Sequence, residues 1–301
     1  MKEKTLVLNE FWLKFVAILT MTLDHIGYFL QEYGINNEAM ATVGLVFRII
    51  GRISFPLFAF MLAEGLHKTH DRLNYILRLA ILWGVIFVAQ FVINTTKPFG
   101  ITSSVGQAFT DLLCYALFIY LIEKKGAWKI LAILPLGYIA LSYSMQVSEV
   151  YAAYNNMTSN WTALIPEWAR CPYSLMGFLI FLGCYYARPL ALGTLNKMEK
   201  KAEIDMSPYK EGKKFQSLVN TISITFILIA ILIFWGIGYL FPQVDPYFQL
   251  VPQSYAILAL FFIIFYNGER GYNKKWFVYS TYIYYPVHIV LLALIFGLIF
   301  R

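Results

Sequence analysis

The chain has 301 residues, of which 59% are hydrophobic and 14% are charged, and its net charge is +7. Soluble domains are usually about 45–50% apolar and about 25% charged, so this composition excludes an ordinary soluble enzyme or binding domain. The positive charge indicates basic loops beside a membrane rather than a nucleic-acid partner. The three cysteines are scattered without a CxxC pair, which argues against a disulfide framework or a zinc site.

Apolar runs of about 20 residues recur along the chain, and this length suits a helix that crosses a lipid bilayer. We therefore predict an all-α, polytopic helical membrane protein that forms one domain over residues 1–301. No internal repeat is visible in the sequence. Nine spans are predicted, in chain order 11–31, 44–65, 75–94, 104–122, 128–146, 172–191, 217–241, 252–266 and 277–299.

Lysine and arginine are distributed very unequally between the two sets of loops. Of the 24 Lys and Arg residues, 19 belong to the loops and span ends on the side of the N-terminus. Cytoplasmic loops carry such an excess, so we predict a cytoplasmic N-terminus and, with nine spans, a C-terminus outside. This orientation puts the basic loop 192–216 in the cytoplasm and the aromatic loop 147–171 outside.

Ionisable residues inside a span mark functional sites by default, and this chain has few of them. Asp24 and His25 lie in the first predicted span, Arg48 and Arg52 in the second, and His288 near the middle of the last. From the helical rise, His25 lies about 6 Å and Arg52 about 4–5 Å outside the midpoints of their spans. His25, Arg52 and His288 therefore share one depth in the membrane, which is the condition for contact between them.

Adjacent residues on a helix point about 100° apart, so Asp24 and His25 face different surroundings. An unpaired charge in lipid is costly, and we expect Asp24 to pair with Arg52 or Arg48, which share one helix face. His25 then faces a cavity and is held in place by that ion pair. The alternative interpretation is structural, because membrane histidines often form interhelical hydrogen bonds and the ion pair then serves packing alone.

A second group of polar and basic residues lies at the cytoplasmic ends of the spans. It consists of the HKTHDR stretch, with His67, Lys68, His70 and Arg72, and the glycine-rich NGERG turn, with Asn267 and Arg270. Basic groups around a helix end bind anions, which predicts a phosphate site here, and a solvated basic collar is the alternative. The spacing of the two histidines suits a metal, but no further ligands follow in sequence, and we predict no metal site.

Three stretches resemble the TraX family, polytopic bacterial membrane proteins named for the pilin acetylase of conjugative plasmids. They are FVAILTMTLDHIGYF, RIIGRISFPLFAFMLAEGLHKTHDRLNYILRL and FYNGERGYNKKWFVYSTYIYYPVHIVLL. They cover the N-terminal quarter and the end of the chain, whereas the middle is similar only in its succession of spans. The arrangement is also distantly similar to that of the transmembrane acyltransferases, in which a histidine in the first span lies at the reaction centre.

The resemblance implies a multi-pass acyltransferase of the bacterial cytoplasmic membrane. It moves an acetyl group from cytoplasmic acetyl-CoA to an acceptor at or beyond the membrane, either a protein N-terminus or an amine or hydroxyl of a surface glycan. By this likeness His25 takes the catalytic place. Acyl transfer to an amine or hydroxyl needs a base for the acceptor proton, and we expect neutral His25 to be that base and Asp24 its orienting carboxylate. Arg52 stabilises the oxyanion or holds Asp24, and His288 is a second proton-transfer group or a prop. The donor then binds around Arg48, His67, Lys68, His70, Arg72, Asn267 and Arg270.

Two other classes of function fit the same residues. A proton-coupled transporter uses intramembrane Asp, His and Arg groups as a relay, and Pro56 does interrupt the second span. Internal repeats, which many transporters contain, are not visible in the sequence. The second alternative is a non-enzymatic assembly protein. In that case we expect no CoA binding, and we expect substitutions at His25 to be tolerated.

Overall fold

The computed structural model describes residues 6–34, 37–97, 108–247, 253–272 and 274–300. Within these ranges the chain is helical, and the only strand-like pairing is a single bridge between Leu8 and Tyr266. Seven helical segments in the described part of the chain are long and apolar enough to cross a membrane. Two shorter apolar segments, Ala108–Ile122 and Gln253–Ile264, coincide with the other two predicted spans. The predicted all-α polytopic architecture is confirmed, while the direction of crossing stays a prediction.

Eleven α-helices follow one another in the described residues. They are α1 (Glu10–Tyr33), α2 (Glu38–Gly51), α3 (Ser54–Lys68), α4 (Arg72–Thr96), α5 (Ala108–Ile122), α6 (Ile133–Tyr154), α7 (Trp161–Leu164), α8 (Ser174–Ala202), α9 (Gly212–Leu240), α10 (Ala259–Ile264) and α11 (Lys275–Ile299). A 3₁₀ segment, Gly126–Ala132, leads into α6, and another, Gln253–Leu258, leads into α10.

Helices α1 and α2 form a tight antiparallel hairpin because glycines line their contact. A Cβ atom added to Gly27 would lie 2.6 Å from the carbonyl oxygen of Gly44. A Cβ atom added to Gly51 would overlap the side chain of Asp24. Small residues at helix contacts in membranes allow the two backbones to approach closely. This approach holds the C-terminal end of α2 against the ionisable part of α1.

The second predicted span is divided into α2 and α3, which meet at Arg52 and Ile53. Pro56 gives the physical cause, because proline lacks the N–H that would bond to the carbonyl four residues earlier, that of Arg52. The Arg52 side chain turns back along α2, and its Nε donates to the Arg48 carbonyl at 3.0 Å. The guanidinium group of Arg52 is thereby fixed toward α1.

Helix α3 is largely buried and packs against α1, α5 and α8. Helix α11, the last span, packs against α1 and α4. The two helices that carry the predicted histidines, α1 and α11, are therefore neighbours, and α3 closes the same part of the core. This arrangement brings together residues that are separated by more than 200 positions in sequence.

The N-terminal segment is joined to the NGERG turn by backbone hydrogen bonds. The Leu8 N–H donates to the Phe265 carbonyl at 3.0 Å, and the Asn267 N–H donates to the Leu8 carbonyl at 2.8 Å. Gly268 and Gly271 have φ values of +80° and +65°, in the left-handed region that favours glycine. The turn therefore lies at the start of α1.

Candidate active site

The described residues enclose two cavities toward opposite ends of the helix bundle. The first, which we name the Arg48 cavity, has a volume of about 320 Å³. It lies among the C-terminal halves of α1 and α2, the end of α6 and the start of α8. Its polar lining includes Asp24, His25, Arg48, Arg52, Glu149 and Arg170. The predicted intramembrane residues of α1 and α2 therefore share one cavity.

The second cavity, which we name the Lys68 cavity, has a volume of about 380 Å³. It lies where α1, α4 and α11 begin and where α3 ends. Its charged lining consists of Glu10, Lys14, Glu64, Lys68, Arg78 and Arg270, and aromatic side chains form much of the remaining wall. By the predicted orientation this end of the bundle is the cytoplasmic one.

The two cavities share one apolar wall, which we name the septum. It consists of Met21, Phe58, Phe109, Leu112 and Tyr285, each of which lines both cavities. The rings of Phe109 and Tyr285 meet edge to face, with centroids 4.1 Å apart. Met21 precedes His25 by one helical turn on α1. Both cavities therefore end close to His25.

His25 and His288 form a hydrogen-bonded pair in the buried core. Nδ1 of His25 lies 2.8 Å from Nε2 of His288, and Nδ1 of His288 lies 3.0 Å from the Tyr284 carbonyl oxygen. A carbonyl only accepts, so Nδ1 of His288 carries a hydrogen and Nε2 of the neutral ring accepts one from His25. This chain leaves the lone pair of the neutral His25 on Nε2. His25 also lines the Arg48 cavity. The ring that carries this basic nitrogen is therefore part of the cavity wall.

Asp24 forms an ion pair with Arg52, as predicted, through Oδ1 and Nη2. Arg52 is 4% exposed and Asp24 17% exposed, so the pair is largely removed from solvent. The guanidinium of Arg48 lies 5.7 Å from the centre of the Tyr28 ring and lines the same cavity. Two arginines and one aspartate leave an excess of positive charge beside His25.

The structure pairs Asp24 with Arg52 and gives His25 a hydrogen-bonding partner on another helix. Nδ1 of His25 donates to Nε2 of His288, and the Asp24 carboxylate accepts from Arg52. The reason is the 100° angle between adjacent helix residues, which turns Asp24 toward α2 and His25 toward α11. His288 is thus the residue that fixes the tautomer of His25.

The basic residues predicted to bind phosphate are only partly brought together. Lys68 and Arg270 line the Lys68 cavity. Lys68 is already bonded to Glu64 at 2.7 Å, to the Tyr266 hydroxyl at 2.9 Å and to the Gly268 carbonyl at 2.9 Å. Lys14 and Arg78 line the same cavity.

The remaining members of that predicted group lie away from the Lys68 cavity. His67 bonds to the Tyr185 carbonyl, Arg72 pairs with Glu123, and Asn267 accepts from the Glu269 N–H within its own turn. His70 is exposed between α3 and α4. Arg48, predicted for the donor, lines the opposite cavity. Among the described residues no cluster of three or more His, Cys, Asp or Glu side chains has the geometry of a metal site.

Sequence interpretation missed several residues of the site. Tyr285 and Tyr173 are two of 22 tyrosines, and nothing in the sequence distinguishes them. Asp111 is fully buried in α5 and accepts from the Tyr115 hydroxyl at 2.9 Å and from the Tyr173 N–H at 3.3 Å. Its signal was visible, because an aspartate inside a predicted span is the feature that singled out Asp24.

Two buried groups in the lining of the Arg48 cavity were also missed. Arg170 is 2% exposed and bonds to Glu149 at 2.7 Å. Gln253, on the segment before α10, is 7% exposed. Arg170 lies in the loop that was predicted to be outside the membrane, where a charged residue carries no special signal.

Comparison with known proteins agrees with this architecture. A family model described as "TraX protein" matches residues 10–192, which include the Asp24–Arg52 pair and His25. The chain is 25% identical over 292 residues to a Dichelobacter nodosus protein named "Probable fimbrial assembly protein FimC, serogroup H1", covering 95% of this chain and 94% of that protein. No solved structure matches. The family match extends over more than half of the sequence, and this multi-pass membrane protein belongs to the TraX family.

Proposed function

We propose that this protein is a membrane acyltransferase that moves an acetyl group from acetyl-CoA to an amine or hydroxyl acceptor. The observation that supports it most directly is the pair of cavities that approach the His25–His288 pair from opposite ends of the bundle. Such an arrangement lets a donor and an acceptor that come from different sides meet at one base. The excess positive charge of Arg48 and Arg52 over Asp24 supports a reaction in which negative charge develops.

The donor enters the Lys68 cavity in this proposal. Arg78 and Arg270 are exposed residues of its lining, and neither takes part in an ion pair with any residue that the structure describes. Guanidinium groups bind phosphates well, so these two side chains suit the nucleotide phosphates of CoA. Lys14 precedes His25 by a rise of about 16 Å along α1, a distance that an extended pantetheine arm covers. The thioester then reaches the septum.

The acceptor enters the Arg48 cavity, whose lining combines carboxylates, amides, arginines and tyrosines. A protein N-terminus and a glycan each match this polar lining. The name of the Dichelobacter relative connects a similar chain with fimbrial assembly. We therefore propose a subunit of a surface fibre as the first acceptor to test, with its N-terminal amine or an attached glycan as the nucleophile, in the bacterial cytoplasmic membrane.

The reaction uses the hydrogen-bonded pair of His25 and His288, which lies beside the septum. Nε2 of His25 takes the proton of the acceptor amine or hydroxyl while that atom forms a bond to the thioester carbonyl carbon. The bond between the carbonyl carbon and sulfur then breaks, and the CoA thiolate receives the proton from His25. By accepting from Nδ1 of His25, His288 keeps the lone pair of neutral His25 on its Nε2. Once His25 is protonated, His288 shares the positive charge of the His25 ring. Asp24 and Arg52 act as positioning residues because they fix α1 against α2.

The second candidate function is proton-coupled transport. Two cavities separated by a thin wall with ionisable groups beside it also resemble the arrangement of an alternating-access site. The two functions differ in chemistry, because only the transferase breaks a thioester. Reconstituted vesicles in which the protein moves a solute with protons, and in which acetyl-CoA stays intact, would support transport instead.

The test of the proposal compares purified wild type with His25→Ala and with Leu19→Ala, an exposed position on the same helix. Calorimetry measures the binding of acetyl-CoA, and release of free CoA is followed with a peptide amine, with a glycoside or with neither. We expect all three proteins to bind, and only wild type and Leu19→Ala to release CoA faster when an acceptor is present. Absence of binding by folded wild type would refute the acetyl-CoA donor.

A further inference from the structure

Tyr285 occupies a position that the reaction described above leaves without a role. It lies on α11, one turn before His288, and it is the only polar member of the five-residue septum. Its ring centroid lies 5.4 Å from that of His288 and 6.4 Å from that of His25, nearly perpendicular to both rings. A side chain that lines both cavities stands where donor and acceptor must meet.

The hydroxyl of Tyr285 forms no hydrogen bond with any residue that the structure describes. The residue itself is 5% exposed, and Phe109 covers its ring. Buried tyrosine hydroxyls usually have a partner, because removing an O–H from water without one costs free energy. Tyr285 lines both cavities, so a molecule bound there can supply the missing partner.

The arginines of the Arg48 cavity are less suited to hold a charge that develops on the donor carbonyl. The Arg52 guanidinium already donates Nη2 to Asp24 and Nε to the Arg48 carbonyl. Arg48 and Arg52 line the Arg48 cavity but not the Lys68 cavity, from which the donor comes. Their charge acts at a distance, whereas a direct donor must lie at the wall between the cavities.

We propose that Tyr285 is a catalytic residue whose hydroxyl donates a hydrogen bond to the thioester carbonyl oxygen. This proposal rests on the transferase function above. When the acceptor atom bonds to the carbonyl carbon, the π electrons of the carbonyl move to its oxygen, and the O–H of Tyr285 holds that oxyanion. When the carbonyl re-forms, the carbon–sulfur bond breaks and the proton on His25 passes to the CoA thiolate. Tyr285 keeps its own proton throughout.

The test is Tyr285→Phe, which removes one oxygen atom and keeps the ring that packs on Phe109. The matched control is Tyr279→Phe, the same substitution at a 64% exposed position on the same helix. CoA release is measured with a peptide amine, with a methyl glycoside and with water as acceptor, and acetyl-CoA binding is measured by calorimetry. We expect kcat of Tyr285→Phe to fall by about 10²–10³, as for loss of one oxyanion donor. The Kd for acetyl-CoA and the thermal midpoint should change little.

The outcomes separate the failure of this inference from that of the proposed function. A Tyr285→Phe protein with kcat near that of wild type, beside an inactive His25→Ala, would overturn the role of Tyr285 and leave the transferase standing. The same holds if Tyr285→Phe weakens acetyl-CoA binding and leaves kcat unchanged, because the residue then shapes the donor site alone. Wild type that releases CoA to none of the three acceptors would overturn both proposals.

Discussion

Nδ1 of His25 donates its hydrogen to Nε2 of His288, which is 263 positions away in sequence and 2.8 Å away in space. The donor role follows from the Tyr284 carbonyl, which accepts from the other nitrogen of His288 at 3.0 Å. One backbone carbonyl on α11 thus determines which nitrogen of a histidine on α1 is basic. The relationship resembles the use of a second group to orient a catalytic imidazole in hydrolases.

Replacement of His288 should therefore lower activity without removing the base. In His288→Leu nothing fixes the tautomer of His25, and we expect kcat to fall by about 10²–10⁴, the usual range for loss of effective general-base catalysis. The Kd for acetyl-CoA should stay close to that of wild type. Leu291→Ala, at an exposed position on the same helix, is the control for changes in α11. Equal kcat values for His288→Leu and wild type would show that His25 does not need this partner.

The Asp24–Arg52 pair should behave as a buried ion pair in a stability measurement. Removal of one member leaves the other charge uncompensated, and we expect Asp24→Asn and Arg52→Gln each to lower the free energy of unfolding by about 3–5 kcal/mol. In the double variant neither charge is left alone. Its loss of unfolding free energy should therefore be clearly smaller than the sum of the losses in the two single variants. Unfolding by a denaturing detergent, followed by circular dichroism, measures all three.

The comparison for that pair is the ion pair of Glu10 and Lys14, whose side chains are 26% and 34% exposed. Pairs spaced i, i+4 on an exposed helix surface contribute about 0.3–0.5 kcal/mol. Lys14→Gln should therefore change stability far less than Arg52→Gln. If the double variant lost as much unfolding free energy as the two single variants together, Asp24 and Arg52 would not be energetically coupled.

Gly51 should tolerate no side chain, because it is the point where α2 meets Asp24. In Gly51→Ala the new Cβ overlaps the Asp24 side chain, and we expect a loss of about 1–3 kcal/mol in the free energy of unfolding, as in other overpacked cores. Gly84→Ala provides the opposite control, since a Cβ there meets no atom within 4 Å. Alanine in a helix interior is favoured over glycine by about 0.5–1 kcal/mol, so Gly84→Ala should gain stability. The same detergent unfolding experiment measures the free energy of unfolding of both variants.

The parts of the site that could be predicted from the sequence are those where a charged residue stands in an apolar run. Asp24, His25, Arg52 and His288 were found because a charge in hydrocarbon is costly and rarely present without a reason. The helix positions followed from the length of the apolar runs. The shared depth of His25 and His288 allowed a contact between them, but the contact itself could not be predicted, because which helix faces which depends on packing.

The cations of the HKTHDR stretch show why local composition is a weaker guide at the ends of the spans. Lys68 and Arg72 looked like an anion site in the HKTHDR stretch, but their charges are met by Glu64 and Glu123. Glu123 lies 51 positions from Arg72, in the turn after α5, so the pairing depends on the fold. Tyr285 was missed for a related reason, since a tyrosine in an apolar helix is common and its free hydroxyl is a property of the packed structure.

Arg78 and Arg270 give the last prediction, because they are the lining residues of the Lys68 cavity that carry a positive charge without an ion-pair partner among the described residues. A hydrogen bond to a charged group contributes about 1.5–3 kcal/mol, so Arg78→Gln and Arg270→Gln should each weaken acetyl-CoA binding by about tenfold or more. Acetyl-pantetheine, which lacks the nucleotide phosphates, should bind wild type and both variants equally. Lys213→Gln removes one charge from the exposed start of α9 and should bind acetyl-CoA like wild type. If the two arginine variants lose affinity for acetyl-pantetheine as well, the arginines support the shape of the cavity rather than the phosphates, and the phosphate site must be sought elsewhere.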